Sequence, residues 1–454
     1  MSTFFNEILS TIAERGRSLI DFGGRERGGA RGGLDELLER LLSERGEASG
    51  VAIAREIFAR YEDLDATGRH DVIDMLTDRF GVDLDGAQQA AEAFLAEPSE
   101  QTGRALSEAS EPRRQELFRR LNMAPDGTAR LVAMRSDLLK GLRANPDWAA
   151  TDADFVHLFG SWFNRGFLVL RRIDWQTPAA ILEKIIRYEA VHEIDGWDDL
   201  RRRIDPPDRR LYAFFHPRLS DDPLIFVEVA LTTDIPTAIP PILAQERDPI
   251  DPRKATTATF YSISNCQQGL AGVSFGSFLI KQVVAELTRE LPGLKTFVTL
   301  SPVPGFAAWL KSQLEPGEDG EANVLGEDER AIVEAALARV ERGETMDGEH
   351  EGVLTQLAAW YFLNARDRKG RLFDPVARFH LGNGAMLERV NWAGDPSPRG
   401  LRQSLSIMVN YRYEPDEIEA NHEAFAREGR IVAAPRVHRL ARARNAVHRD
   451  LVAG

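Results

Sequence analysis

The 454-residue sequence has little of several features that mark specialised protein classes. It contains one cysteine, Cys266, which excludes an internal disulfide framework and a multi-cysteine zinc site. We interpret Cys266 as a buried apolar side chain, with a redox-sensitive thiol as the alternative. No apolar run approaches the roughly 18 residues of a membrane span. The first residues lack the basic and then apolar order of a secretory signal. These absences predict a cytoplasmic protein without a membrane partner.

Basic side chains are also outnumbered by acidic ones. Lysine and arginine total 57 against 71 aspartate and glutamate residues, a formal net charge of -14. This balance disfavours general nucleic-acid binding, which needs a basic face, but allows a local basic pocket for one small anionic ligand. The nine histidines form no HExxH pair or other clear ligand pair, so no metal is expected. Hydrophobic residues at 43% and charged residues at 28% are typical of a globular protein.

The composition predicts three segments along the chain. Residues 1–33 end in the Gly- and Arg-rich stretch FGGRERGGARGG, interpreted as a flexible lead or, alternatively, an anion-binding arm. Residues 34–154 repeat apolar positions at helical spacing, with short Gly, Pro or Asp breaks. They predict an all-α bundle serving packing, oligomerisation or partner contact. The expected helices begin near Leu34 and cover 51–61, 69–80, 87–95, 113–121 and 128–142.

Residues 155–454 mix helical and strand patterns and predict an α+β domain. The segment 155–171 is apolar and aromatic. Runs of branched and aromatic residues predict strands at 209–216, 223–232, 257–264, 296–300 and 404–413. Helical spacing predicts helices at 178–188, 276–291, 327–342 and 351–365.

The first stretch suited to chemistry is FYSISNCQQGLAGVSFGSFLIKQVV, residues 260–284. A predicted strand leads into a loop with Gly269, Gly272 and Gly276 and then into a helix. Glycines allow a close approach of the backbone, and a helix N-terminus offers free N–H groups to a pyrophosphate. The loop matches neither the Walker A pattern nor G-x-G-x-x-G. A phosphate site and a tight connection that needs small residues both remain open.

Two further stretches contain possible acid–base groups. In TFVTLSPVPGF, Ser301 ends a predicted strand and is followed by two prolines and a glycine. It is either a positioned hydroxyl or a turn-forming serine, and the G-x-S-x-G elbow of α/β-hydrolases is absent. In DPVARFHLGNGAMLERVNWAGD, His380 lies between apolar neighbours, close to Asn383. It is either a satisfied core residue or a catalytic group.

Together these stretches resemble the malonyl-CoA decarboxylase family. The similarity is carried by FYSIS followed by QQGL, by LSPVPGF, by DPVARFHLGNGA with RVNWAGD, and by VNYRY. It runs with gaps from about Trp162 to Tyr413. The resemblance implies an N-terminal helical domain and a C-terminal GNAT-like catalytic domain. It also implies conversion of malonyl-CoA into acetyl-CoA and CO2 without a metal or organic cofactor, by a homo-oligomer (dimer or tetramer). The peroxisomal tripeptide of some animal members is missing, which favours a cytoplasmic enzyme.

Carried over by position, the resemblance implies that Ser301 and His380 are the catalytic pair. It places the CoA-binding loop on Ala271, Gly272, Val273, Ser274, Phe275, Gly276 and Ser277. Asn383 and Tyr413 are further candidates for substrate contact. The family loop can carry an acidic residue where this chain has Ser274, which leaves the role of that position open.

The expected chemistry forms a thioester enolate as CO2 leaves, followed by protonation at Cα. Ser301 would orient the reacting group. His380, with an ordinary histidine pKa near 6.5, would donate the proton. A covalent malonyl-serine intermediate is not required. A GNAT-like acyltransferase, which needs an acceptor amine, and a non-catalytic CoA-binding scaffold are the alternatives.

Overall fold

The fold is seen in a computed structural model, which describes residues 33–43, 46–273, 278–315 and 324–452. The predicted flexible lead, apart from Gly33, lies outside the described residues. The chain divides into two compact units. The first contains the residues up to Leu168 together with His216–Asp221 and Gln267–Phe275, and the second contains the remainder.

The first unit is built from helices, and no strand precedes Val169 among its described residues. Buried leucines at positions 37, 38 and 41 follow helical spacing, and Asp65 and Asp83 cap helix N-termini by accepting from backbone N–H groups. The helices are α1 (Leu34–Ser43), α2 (Glu47–Glu62), α3 (Ala66–Arg79), α4 (Leu84–Ala96), α5 (Glu100–Ala109), α6 (Arg113–Leu121), α7 (Gly127–Gly141) and α8 (Ala149–Trp162).

Six of these helices match the expected segments. Helix α5 is not predicted from the sequence, because Leu106 is its only large apolar residue and gives no helical periodicity. Its start is instead set by a capping box between Ser99 and Thr102. Helix α8 is not predicted as a separate helix either, because its apolar residues continue into the apolar and aromatic segment 155–171.

The second unit contains an eight-stranded mixed sheet. Its strands are β1 (Val169–Ile173), β2 (Arg209–His216), β3 (Leu219–Thr232), β4 (Thr257–Asn265), β5 (Thr296–Thr299), β6 (Ser301–Pro302), β7 (Met386–Asn391) and β8 (Met408–Tyr413). The order is β1-β2-β3-β4-β5-β8-β6, with β7 also paired to β8. Its helices are α9 (Ala179–Tyr188), α10 (Gly196–Ile204), α11 (Pro240–Leu243), α12 (Phe278–Glu290), α13 (Phe306–Leu314), α14 (Glu327–Glu341), α15 (Glu351–Asn364), α16 (Pro375–Gly382), α17 (Pro398–Ser404), α18 (Ile418–Glu428) and α19 (Pro435–Val452).

The centre of this sheet contains its parallel pair, β4 and β5. Residues 257–260 pair with residues 296–299, and the register ends there. Strand β4 continues to Asn265, so its carboxyl-terminal half leaves the pairing with β5. This divergence opens space at the carboxyl ends of the two strands. A run of helices followed by a mixed sheet with its own helices confirms the predicted α+β fold class, with an N-terminal helical part.

Most strand predictions in the second half are confirmed, and one is partly wrong. The sequence predicts a strand over residues 404–413, whereas α17 ends at Ser404 and the strand begins only at Met408. Leu405 and Ser406 have φ angles of 52° and 67°, a left-handed conformation that interrupts an extended chain. No helix within the described residues is long and apolar enough to cross a membrane.

Candidate active site

Three side chains that are distant in the sequence form a hydrogen-bonded chain in the second unit. Ser301 Oγ lies 3.2 Å from His380 Nε2, and His380 Nδ1 lies 2.8 Å from the Tyr413 hydroxyl. The three residues come from β6, α16 and β8, and their exposed fractions are 5%, 3% and 1%. The structure therefore brings together both predicted catalytic residues and Tyr413.

Asp374 fixes the positions of the two segments that carry Ser301 and His380. Its carboxylate accepts a hydrogen bond from Ala377 N at 2.8 Å and thereby caps α16, with Pro375 at the first helical position. It also accepts from Gly305 N at 3.2 Å, in the turn after Ser301. Burial raises the pKa of Asp374 to about 6. Asp374 is not among the residues predicted from the sequence, although an aspartate followed by proline is a recognisable helix start.

The hydrogen bonds assign the tautomer of His380. The Ser301 hydroxyl donates to Thr299 Oγ1 at 2.8 Å, so its proton is not available to the histidine. The contact with Ser301 Oγ is then completed by a proton on His380 Nε2. The lone pair of Nδ1 accepts the Tyr413 hydroxyl proton. Every proton in this chain has an acceptor, which fixes the orientation of the imidazole.

Burial keeps the imidazole neutral. It lowers the pKa of His380 to about 3, because a charged ring would lose its hydration. Burial also raises the pKa of Tyr413 well above its usual range, so the phenol remains protonated. The sequence alone predicts an ordinary pKa near 6.5 for His380 and hence a proton donor of ordinary acidity, which the buried position does not support. In the structure a proton that His380 donates comes from a neutral ring, and Nδ1 must gain a proton from Tyr413 for the ring to stay neutral.

Ser301 and His380 line a cavity of about 260 Å³ in the space between the diverging strands. The same cavity is lined by residues of β4, including Tyr261, Ser262 and Asn265. Other walls come from Pro302 and from Phe379 on α16. None of the described residues that line it is a lysine, arginine, aspartate or glutamate. The cavity can therefore hydrogen-bond to a ligand but offers no formal charge to it.

Glu189 bonds to side chains of β4 and thereby determines which hydroxyl groups of the cavity can bond to a ligand or to His380. Its carboxylate accepts from Ser262 Oγ at 2.8 Å and from Ser264 Oγ at 3.1 Å. It also accepts from Val191 N and His192 N, both at 2.7 Å, which positions Val191 in the cavity wall. Since Ser262 is held by Glu189, Ser301 remains the serine of the cavity that is bonded to the imidazole. No sequence signal identified Glu189.

The predicted glycine loop is described only in part. Ser274, Phe275, Gly276 and Ser277 lie outside the described residues. Ala271, Gly272 and Val273 belong to the first unit, where Arg135 Nη1 donates to Gly269 O at 2.7 Å and to Ala271 O at 2.8 Å. Gly272 has a φ of +77°, which explains the glycine. Helix α7, which carries Arg135, thus holds the segment that leads into the loop.

Two other predicted residues lie in clear structural settings. The Asn383 amide donates to Phe379 O at 2.8 Å at the end of α16, and Asn383 does not line the cavity. Cys266 is buried, and burial raises the pKa of its thiol above the ordinary range. This environment agrees with the apolar interpretation of the cysteine. Within the described ranges, no group of three His, Cys, Asp or Glu side chains is placed to hold a metal ion.

Comparisons with known proteins identify the family. The model of the malonyl-CoA decarboxylase C-terminal domain matches residues 166–450, and that of the N-terminal domain matches residues 80–163. The chain belongs to the malonyl-CoA decarboxylase family. The mitochondrial malonyl-CoA decarboxylase of Anser anser anser is 36% identical, with 91% of this chain and 89% of that protein covered. The mitochondrial enzyme of Mus musculus is 35% identical, with 90% of each chain covered.

Solved structures agree with this assignment. The malonyl-CoA decarboxylase of Rhodopseudomonas palustris is 57% identical with a TM-score of 0.85, covering 89% of this chain and 98% of that one. The malonyl-CoA decarboxylase of Agrobacterium vitis is 53% identical with a TM-score of 0.83, covering 90% and 99%. Membership in the malonyl-CoA decarboxylase family confirms the resemblance found in the sequence motifs. It makes this protein an enzyme of the carboxy-lyase class.

Proposed function

We propose that this protein converts malonyl-CoA into acetyl-CoA and CO2, with Ser301 and His380 as its catalytic residues. The observation that carries the proposal is the chain of Ser301, His380 and Tyr413 at an uncharged cavity between diverging strands. The related malonyl-CoA decarboxylases support the same substrate. No metal or organic cofactor is required, because the thioester accepts the electron pair that CO2 leaves behind.

The uncharged cavity favours loss of the carboxylate. A malonyl carboxylate at Ser301 would have left bulk water without gaining a lysine or arginine partner from the lining residues. Desolvation of an unpaired charge is unfavourable. In the transition state the charge spreads from the carboxylate toward Cα and the thioester oxygen, so the same environment opposes it less. Ser301 orients the reacting group by hydrogen bonding.

The proton at Cα comes from the hydrogen-bonded chain. When the C–CO2 bond breaks, its electron pair forms the enolate, and Cα then takes the proton of the Ser301 hydroxyl. His380 donates its Nε2 proton to Ser301 Oγ, and the Tyr413 hydroxyl donates its proton to His380 Nδ1. The imidazole remains neutral throughout, as its burial demands. Because burial disfavours a Tyr413 phenolate, Tyr413 takes a proton from solvent in the same relay, and no charged side chain is left behind. A covalent malonyl-serine is not needed.

The CoA part is assigned to the loop from Ala271 to Ser277, whose backbone N–H groups and following helix α12 suit a pyrophosphate. Arg135 supports this role by holding the described beginning of the loop. Asn383 is not included, because its amide is already bonded to Phe379 O. We also propose that the enzyme is a homo-oligomer, a dimer or tetramer, associated through its helical unit.

The test is to incubate the full-length protein with malonyl-CoA alone in deuterated water. CO2 release and acetyl-CoA carrying one deuterium in its methyl group are expected. Turnover that depends on an added amine would instead show an acyltransferase. Binding of malonyl-CoA without any product would show a CoA-binding scaffold. Either of these results would overturn the proposal, and the folded Ser301→Ala variant serves as the low-activity control.

A further inference from the structure

A second cavity lies between strand β7 and helix α19, and it shares no lining residue with the cavity at Ser301. Its volume is about 450 Å³, within the roughly 300–1,000 Å³ range of small-molecule sites. Its lining residues are three arginines and three apolar side chains: Arg389, Arg436, Arg439, Val390, Leu440 and Ala443. The cavity thus combines a basic edge with an apolar floor.

The fold brings these arginines together from two elements. Arg436, Arg439 and Ala443 are spaced three and four residues apart on α19, which places them on one helix face. On β7 the pairing register with β8 shifts between Leu387 and Arg389. Such bulges redirect side chains, and here the irregularity lies at the strand residue that faces the helix. The convergence is therefore built by secondary structure.

The three positive charges are poorly compensated. Arg389 is half-buried, and its guanidinium donates to Asn410 Oδ1 at 3.2 Å and to Ile235 O at 2.8 Å, neither of which carries a charge. Burial and the neighbouring Arg436 lower the pKa of Arg389. Within the described ranges, only Arg436 of the three forms an ion pair, at 2.5 Å with the buried Glu388.

One carboxylate facing three guanidinium groups leaves a local excess of two positive charges. Arg412 adds a further contact to Glu388 at 3.9 Å, so this carboxylate is already shared. The excess is found in a chain whose formal net charge is -14, so it does not follow from overall composition. Arg436 and Arg439 are exposed, so water screens part of their repulsion, and an anion placed among the three guanidinium groups would lower it further.

We propose that this cavity binds a small organic phosphate. Its dianionic phosphate monoester would lie among the guanidinium groups of Arg389, Arg436 and Arg439, and its less polar part on Val390 and Leu440. Two charges match the local excess, and guanidinium groups bind phosphate oxygens through paired hydrogen bonds. The apolar floor favours a ligand with a planar or apolar group, such as a nucleoside monophosphate, over inorganic phosphate. This proposal is independent of the reaction assigned to Ser301 and His380.

Calorimetry on the full-length protein tests the proposal with three probes: AMP, adenosine and inorganic phosphate. CoA is left out of each titration, because it is itself a nucleotide with a phosphate monoester and would compete at this cavity, and the variants described below separate this cavity from the substrate site. AMP is expected to bind at one site per chain, inorganic phosphate more weakly, and adenosine not measurably. Equal affinity for AMP and inorganic phosphate, or for AMP and adenosine, would overturn the proposal. So would the absence of AMP binding at millimolar concentration.

Matched variants locate the site. Arg439→Gln is expected to weaken AMP binding about tenfold, as for one lost charge-assisted hydrogen bond. The control is Arg442→Gln, which removes the same charge from an exposed position of α19 outside the cavity lining. AMP affinity should be unchanged there. Equal weakening in both variants would show a general charge effect and overturn the assignment. Thermal unfolding without ligand verifies that both variants fold.

Discussion

At the scale of single residues, the environment of His380 could not be read from the sequence. The motif identified Ser301 and His380, but the pKa of a histidine depends on burial and on partners supplied by other segments. His380 is enclosed by α16, β6 and β8, and its partners Ser301 and Tyr413 are 79 and 33 residues away in the chain. Only the folded chain shows that the ring is neutral and which nitrogen carries its proton.

Replacing His380 should break the proton relay to Ser301 without changing the loop to which CoA is assigned. His380→Asn is expected to lower turnover about a hundredfold or more, the usual range for positioned acid catalysis being roughly 10²–10⁴. The KM for malonyl-CoA should change much less. Ser301→Ala should also lower turnover, and the double variant should cost less than the two single effects multiplied together. Steady-state kinetics of the three variants measure this, and near-normal turnover by folded His380→Asn would remove His380 from the mechanism.

The buried neutral histidine also predicts an acid sensitivity of stability. The pKa of His380 is about 3 in the folded state and near its ordinary value of 6.5 when unfolded. Between these values the unfolded chain binds a proton that the folded chain does not. The free energy of unfolding should therefore fall as pH falls from 6.5 toward 3, with a slope from this group of up to about 1.4 kcal/mol per pH unit.

Comparison with His380→Asn isolates this contribution. Other buried groups also titrate in the window, since the pKa of His192 is lowered to about 4 and that of Glu228 is raised to about 7 by burial, but both groups are present in both proteins. Urea unfolding at pH 8, 6 and 5 should show a steeper loss for the wild type. Parallel pH profiles would mean that folding does not lower the pKa of His380 and would contradict the neutral buried ring.

At the scale of elements, hydrophobic periodicity predicted helices and strands well where one face is buried. It failed where backbone conformation decides, as at Leu405 and Ser406, and where a helix such as α5 contains only one large apolar residue, Leu106. The glycine loop illustrates the limit at the site. Its glycines are visible in the sequence, but the support from Arg135 is not, because the residues are 134 and 136 positions apart.

The close packing of α7 against the segment before the loop can be tested at Gly269. A Cβ at this position would lie 1.9 Å from Val132 O, so the backbones would have to separate. Gly269→Ala should destabilise the protein by about 1–3 kcal/mol, the usual cost of overpacking. The control is Gly160→Ala in α8, where a Cβ meets nothing within 4 Å and should be neutral or stabilising. Equal unfolding midpoints for the two variants would contradict this account.

At the scale of the whole molecule, helix α4 is the feature that the packing of one chain leaves unexplained. None of its residues is buried, and Leu84 and Leu95 are each 77% exposed. Eleven residues is close to three helical turns, so the two leucines lie on the same face. The expectation from the sequence that the helical segment mediates self-association rests on such surplus apolar residues. The structure adds a specific surface to that proposal, although the composition alone did not indicate which helix carries it.

If a second copy of this chain covers that face, a charge placed on it should prevent association. Leu95→Glu is expected to reduce the number of protomers per particle, because the carboxylate would be buried without a partner in the interface. The matched control is Ala93→Glu, which adds the same charge to an exposed position on the opposite face of α4 and should leave the oligomer intact. Light scattering coupled to size-exclusion chromatography measures both variants at the same protein concentration. An unchanged particle mass for Leu95→Glu, or an equal loss in both variants, would show that this face of α4 is not the surface through which the chains associate.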